Sequence, residues 1–236
     1  MDIKVLASGS KGNCYWITDG TTPLLLECGI STREVRERIG FRLTEIAACL
    51  VSHEHQDHAK AVADVLRAGV EVYTSPGTIK ALGLEHHRLR PIRTKETFKV
   101  GTWTIRAFET QHDCAEPLGF LLHSTVTNER LLFATDTYYV KYRFPKLTHI
   151  MVECNYAMDI LEDNVRRGLV PEMLKKRLLT SHFSLENVKE FLQANDLSKV
   201  QEIWLLHLSD GNSDAERFKR EIQGLTGKPV YVAGGH

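Results

Sequence analysis

Short apolar runs, interrupted by Gly, Pro, Asp and Asn, dominate the first half of this chain. The stretch Trp103-Thr104-Ile105-Arg106-Ala107-Phe108 alternates apolar and polar positions, the rhythm of a half-buried strand. By such runs and their flanking turn residues, strands are expected at 3–8, 14–19, 23–28, 47–52, 71–75 and 97–100. Further strands are expected at 102–110, 118–125, 130–136, 148–154, 202–208 and 229–233. Helices are expected at 32–39, 59–68, 76–82, 172–180, 185–194 and 214–223, and Ser31…Glu34 and Ser213…Glu216 have capping-box spacing. Leu185, Val188, Phe191 and Leu192 form one apolar stripe, the signature of a helix packed on a core. Helices inserted among many short strands predict an α/β (α+β) layered fold of two face-to-face sheets flanked by helices. No repeat or linker divides the chain, so one domain over 1–236 is expected.

With 236 residues and 42% hydrophobic content, the chain can bury a sizeable core. Its formal net charge is zero and its pI about 7.2, so the global basic excess common in duplex-DNA binders is absent and any phosphate-binding surface must be local. Five cysteines, several inside apolar runs and none in C-x-x-C spacing, suit buried thiols in a reducing compartment. The N-terminus lacks a signal-peptide pattern, and no apolar run approaches ~18 residues, so a cytoplasmic protein without a membrane partner is expected.

The chemistry is concentrated in His53-Glu54-His55-Gln56-Asp57-His58, directly after the apolar run Ala47 to Val51. In an extended segment His53, His55 and Asp57 point to one side, while His58 follows where the chain turns toward a helix. Two imidazoles can thus face one cation, and Asp57 with His58 a second. Imidazole and carboxylate together suit zinc, and carboxylate-rich sites also take manganese or iron. Four local ligands cannot close two coordination shells. His112, Asp136 and His207 each terminate an apolar run, where loops converge on a site.

This order of residues resembles the metallo-β-lactamase superfamily, and most closely its YycJ-type branch of DNA exonucleases. The similar stretches are VLASGSKGN at 5–13, VSHEHQDH at 51–58, HDCAEP at 112–117, ATDTYYV at 134–140, ECNY at 153–156 and LLHLSDGN at 205–212. The resemblance implies an αββα sandwich and two divalent metal ions, Zn²⁺ or Mn²⁺. It places His53, His55 and His112 on the first metal, Asp57, His58 and His207 on the second, and Asp136 between them. Two departures stand out. Glu27 replaces the Asp that buttresses the metal loop, and Tyr156 replaces a His of the family's ESNH stretch.

Two cations that bridge a hydroxide generate a nucleophile at neutral pH. Asp136, where many lactam-hydrolysing relatives carry Cys, argues against a β-lactamase, but glyoxalase-II-type thioesterases share it. His182 looks like the additional His of phosphodiesterase relatives, which contacts phosphate and protonates the leaving alkoxide, with Glu153 as its partner; the alternative is a His that caps the following helix. Together these residues imply a dinuclear phosphodiesterase acting on nucleic acid from an end, with Asp57, His182 and Glu153 as catalytic groups. Arg166, Arg167, Lys175 and Lys176 are either a track for the phosphate backbone or solvated faces, and so are Arg88, Arg90, Arg93 and Lys95. The alternative substrate is a cyclic or small nucleotide, its base stacked on Tyr138, Tyr139 or Tyr156. Thioester hydrolysis is the third reading. A homodimer is left open. Ser8 to Asn13 lacks Walker spacing, and a tight hairpin against the metal site accounts for it better than a phosphate loop.

Overall fold

Thirteen strands and eight α-helices are assigned among residues 1–40 and 42–234, the residues described by the computed structural model. Backbone contacts divide the chain into two compact units, Met1–Glu109 with Cys114–Glu129, and Thr110–Asp113 with Arg130–His236.

In the first unit, β1 (Asp2–Ala7), β2 (Cys14–Thr18) and β3 (Pro23–Leu26) pair antiparallel through tight turns. From β3 the sheet continues in parallel through β4 (Ala48–Leu50), β5 (Glu71–Thr74) and β6 (Leu89–Pro91), giving the order β1-β2-β3-β4-β5-β6. Parallel neighbours need crossovers. These are α1 (Thr32–Arg38), a 3-10 turn at Leu43–Glu45, α2 (Gln56–Ala59), α3 (Val62–Arg67) and α4 (Pro76–Leu82). Leu24 to Leu26 and Ala48 to Leu50 are all fully buried, because a parallel strand is covered on both faces. Val35, Ile39, Val62, Val65 and Leu66 from the helices pack with Leu25, Cys49 and Val72 in one core cluster.

The other strands belong to a seven-stranded sheet, so both sheets are mixed. Its antiparallel part lies in the first unit: β7 (Thr97–Val100), β8 (Trp103–Glu109) and β9 (Leu118–Ser124). Trp103, Ile105 and Ala107 are buried while Arg106 is exposed, as the alternation predicts. Its parallel part lies in the second unit: β10 (Arg130–Ala134), β11 (His149–Glu153), β12 (Glu202–Leu206) and β13 (Val230–Val232). The second unit also carries α5 (Met158–Arg166), α6 (Glu172–Ser181), α7 (Leu185–Gln193) and α8 (Ala215–Thr226).

Four expectations need correction. The helix expected at 59–68 is two helices; Ala61 breaks the ladder by donating its N–H to Cys28 O instead. Asp57 therefore lies in the first turn of α2, not in an extended segment with His53 and His55. The capping box at Ser31 and Glu34 forms, but Asp214, not Ser213, caps α8. Both α5 and β6 lie outside the expected elements: Ala157, which precedes α5, supplies no side-chain cap, and only Leu161 of the helix is buried. β6 is an edge strand of three residues that contains Pro91, and an edge is one of the few places where a sheet tolerates proline.

The β2–β3 turn is held by the buried Asp19. Its carboxylate accepts from Thr21 N (3.0 Å), Thr22 N (2.9 Å), Thr102 Oγ1 (2.6 Å) and Ser124 Oγ (2.7 Å). Burial alone would raise its pKa, but these donors outweigh burial and hold it below the usual carboxylate range. A depressed folded pKa gives stability that is complete above the unfolded pKa and lost as pH falls through the folded one. Asp19→Asn is expected to cost about 2–3 kcal/mol at pH 7. Urea denaturation should show this gap closing as pH drops below about 4.

Candidate metal centre

The first group of ligand-type side chains follows β4. Val51 N donates to Tyr73 O and extends the strand pairing, and the chain then runs through His53 to the first turn of α2. The rings of His53 and His55 are 4.7 Å apart and those of His53 and His58 4.3 Å, and Asp57 Oδ2 is 3.3 Å from His58 Nε2. Three imidazoles and one carboxylate are thus gathered by local geometry. Their backbone is pinned from two sides. Asn13 N donates to Asp57 O (2.7 Å) and Cys28 N to His58 O (2.9 Å). Gly29 lies so close that a Cβ there would sit 1.7 Å from Asp57 O, so no other residue fits without moving the loop.

Glu27 follows β3 with φ of +62°, a left-handed conformation uncommon for a residue with a Cβ. Its fully buried carboxylate accepts from Ser52 N (3.2 and 3.3 Å) and lies 3.7 Å from His58 Nδ1. Burial pushes the Glu27 carboxyl up, only partly opposed by His58 and Ser52. Ser52 Oγ is in turn 2.8 Å from His53 Nδ1. Asn13 and Ser52 are site residues beyond the sequence candidates. The loop 8–13 that carries Asn13 does turn tightly, Gly12 N donating to Gly9 O, and packs on residues 57 and 58.

The second group sits at the carboxyl ends of β10, β11 and β12, which supply Asp136, Glu153 and His207. In open parallel sheets these ends are where ligands bind. Asp136 (φ +45°) and His207 (φ +52°) are both left-handed, backbone strain of the kind that concentrates at functional sites. Asp136 Oδ1 is 3.3 Å from His207 Nδ1, and Asp136 Oδ2 is 3.5 Å from His112 Nε2. His112 Nδ1 lies 2.8 Å from Ser181 O. A carbonyl can only accept, so Nδ1 carries the proton and Nε2 keeps its lone pair for a metal. Burial lowers the His112 pKa, with Asp136 opposing, which favours the neutral ring a ligand requires.

His182 caps the end of α6, and its Nδ1 lies 2.6 Å from Glu153 Oε1. Burial would lower its pKa, but the charge and hydrogen bond of Glu153 raise it overall. Glu153 is completely buried. Burial opposes its ionisation, yet the charge of His182 keeps its pKa below the usual value. Its other oxygen accepts from Thr137 N (2.9 Å) and Phe183 N (3.2 Å), and Oε1 is also 3.2 Å from His207 Nδ1. One ligand atom from each of Asp136, Glu153, His182 and His207 falls within 4.8 Å of the others. Asn155, not foreseen, steadies this end by donating to His207 O (2.8 Å). Imidazole nitrogen with carboxylate oxygen fits a divalent ion such as zinc or manganese in both groups.

The remaining sequence candidates are not members of these ligand groups. Arg166 and Arg167, at the end of α5, both pair with Asp163, and Lys175 on α6 faces Glu162 at 3.8 Å. Lys176 is exposed. Tyr156 is 1% exposed, a core side chain whose phenol is pushed up to about 12 by burial and the neighbouring Glu186 and Glu153. Arg90 of the other basic cluster is paired with Glu71. Among the described residues no helix is long and apolar enough to cross a membrane.

Comparison with known proteins agrees with this arrangement. The chain is 28% identical to exodeoxyribonuclease YycJ of Bacillus anthracis, over 99% of this chain and 92% of that protein. The metallo-β-lactamase fold protein YhfI of Bacillus subtilis superposes with a TM-score of 0.74 at 16% identity, covering 99% and 95% of the two chains. Human tRNase Z, short form, gives 0.66 at 14% identity, with 99% and 96% covered. These overlaps identify two mixed sheets with flanking helices as the metallo-β-lactamase fold. Residues 22–207, which include every candidate ligand, match the β-lactamase superfamily domain, and the chain belongs to that family.

Proposed function

We propose that this metal-dependent hydrolase is a dinuclear phosphodiesterase that shortens nucleic acid, DNA first, from an end. In this reading His53, His55 and His112 hold one cation, Asp57, His58 and His207 the second, and Asp136 is shared. When bound, such a pair lowers the pKa of water and stabilises charge on a phosphoryl oxygen. Zinc and manganese both suit the donor set. A cytoplasmic location accords with five cysteines free of disulfides.

The observation that carries this reading is the pair of Glu153 and His182, 2.6 Å apart. A sugar alkoxide is a poor leaving group and needs a proton, whereas a thiolate does not. Glu153 fixes the ring through Nδ1 and favours the imidazolium, so Nε2 can deliver a proton to the departing oxygen. His182 Nδ1 is 3.9 Å from Asp136 Oδ2, which puts this acid beside the ligands of the second unit. Asp57 orients the attacking water. The nuclease names of the relatives, an exodeoxyribonuclease and a tRNase, point to nucleic acid as the diester. Glu27 supports the loop at Ser52 that carries the first ligands.

Substrate backbone is expected along α5 and α6. Because Asp163 and Glu162 already engage three of the four cations there, few phosphates are contacted. The slope of log affinity against log salt should be only about −1 to −3. Changing Arg166, Arg167, Lys175 and Lys176 together to Glu should flatten that slope and slow degradation of long DNA about tenfold. Unaltered slope and rate would reduce these helices to solvated faces.

A further inference from the structure

A cavity of about 300 Å³ opens in the second unit between residues 138–143 and the side of α7. That volume is at the lower end of the about 300–1,000 Å³ range of small-molecule sites. Aromatic rings dominate it. Phe183 and Phe191, both buried, form the floor, Tyr138 and Tyr142 are half-buried, and Tyr139 stands at the rim, 55% exposed. Lys141 and Arg143 bring two positive charges to the lining against one carboxylate, Glu190. The lining is thus rich in aromatic rings and carries one net positive charge.

Its walls are fixed. Asn187 on α7 donates to Tyr138 O (3.2 Å), Thr137 Oγ1 donates to Tyr139 O (2.8 Å), and Tyr138 N donates to Gln111 O (3.1 Å). The same carboxylate that holds His182 ties both walls together. Glu153 Oε2 accepts from Thr137 N, one residue before Tyr138, and from Phe183 N, one residue after His182. One wall therefore starts two residues from Asp136 and the other starts beside His182. Tyr138 and Phe183, which line the cavity, are thus close sequence neighbours of Asp136 and His182.

We propose that this cavity is a nucleobase subsite, which stacks the base next to the scissile phosphate on Tyr139 while Lys141 and Arg143 meet the flanking phosphate. Stacking on an aromatic face is the sequence-tolerant way to hold a single strand, and a protruding tyrosine beside two cations supplies both parts. The subsite rests on the phosphodiesterase reading above and extends it, because it makes the unpaired end of a strand the form that is bound. Duplex ends must fray to enter.

The test titrates the full-length, metal-loaded chain with a fluorescein-labelled tetranucleotide of deoxyadenosine, phosphorothioate-linked to slow its hydrolysis. The same backbone without bases is the comparison, and anisotropy is the readout. The wild type should prefer the base-bearing strand about tenfold. Tyr139→Ala should abolish that preference, Tyr139→Phe should keep it, and Arg143→Ala should weaken both strands alike. Tyr139 and Arg143 are exposed, so these variants retain the fold. Equal binding of the two strands by the wild type, no binding of either, or a preference that survives Tyr139→Ala overturns the subsite. If the loaded enzyme still degrades ordinary DNA in those cases, the phosphodiesterase reading stands alone. If it degrades no nucleic acid or nucleotide, both fall.

Discussion

Asp136→Ala is expected to remove metal and activity together. Elemental analysis of the wild type should find close to two ions per chain, and the variant clearly fewer. Turnover should fall by about 10³-fold or more, because charge stabilisation and water activation are lost in one step. The expectation follows from the position of this carboxylate at the end of β10. It is 3% exposed, left-handed in φ, and within 3.3–3.9 Å of His207, His112 and His182. A buried acid facing three imidazoles can be balanced by protons or by cations, and full occupancy by a divalent ion leaves the rings neutral for ligation. A bound metal also stabilises the folded state in proportion to its affinity. Exhaustive chelation should therefore lower the melting temperature of the wild type much more than that of Asp136→Ala. Full activity after chelation, or equal melting shifts in the two proteins, would contradict this assignment.

His182→Ala is expected to give the second-largest loss, with a different signature. Metal content should remain at the wild-type level, while turnover on nucleic acid falls by about 10²–10⁴-fold, the range for a lost general acid. A diester with a p-nitrophenolate leaving group should lose much less, since that anion departs without a proton. The split matters because the ligand atoms of His182 and Glu153 lie close enough to Asp136 and His207 to hold an ion themselves. If His182 were a ligand, metal content would drop and both substrates would suffer equally. Equal losses with metal retained would make His182 a structural residue.

Much of this site is legible in the sequence, for identifiable reasons. His53, His55, Asp57 and His58 are close in sequence, so their proximity in the first unit needs no long-range fold. Asp136 and His207 announce themselves as polar residues ending apolar runs, and parallel strands do place such residues at one edge of the sheet. What stayed hidden depends on backbone geometry. Asn13, Ser52 and Asn155 fall inside the family-like stretches, but they act through hydrogen bonds to backbone or to ring nitrogens, a role that residue type alone does not reveal. Gly29 matters because Asp57 O passes where a Cβ would be, which is a fact of packing.

The elements follow the same logic. The buried stripe of α7 produced a periodic signal, and its expected span of 185–194 became Leu185–Gln193. Helix α5 carries Met158, Leu161 and Val165 at helical spacing too, but it has no capping side chain to mark its start and buries Leu161 alone. The basic cluster illustrates the limit of reading charge along a chain. Arg166 and Arg167 look like free cations in sequence, but helix formation brings Asp163 three and four residues away onto the same face. Tyr156 likewise follows β11 closely enough to suggest the site, yet the turn of the chain directs its ring into the core.

The most direct test of the whole account is a product assay on the manganese- and zinc-loaded chain. The substrates are end-labelled single- and double-stranded DNA, end-labelled RNA, and cyclic mononucleotides, each also tested with His182→Ala. Progressive shortening of DNA with release of mononucleotides is expected, lost on chelation and nearly lost in His182→Ala. Activity confined to cyclic mononucleotides, or metal-dependent hydrolysis of thioesters that His182→Ala leaves intact, would contradict it.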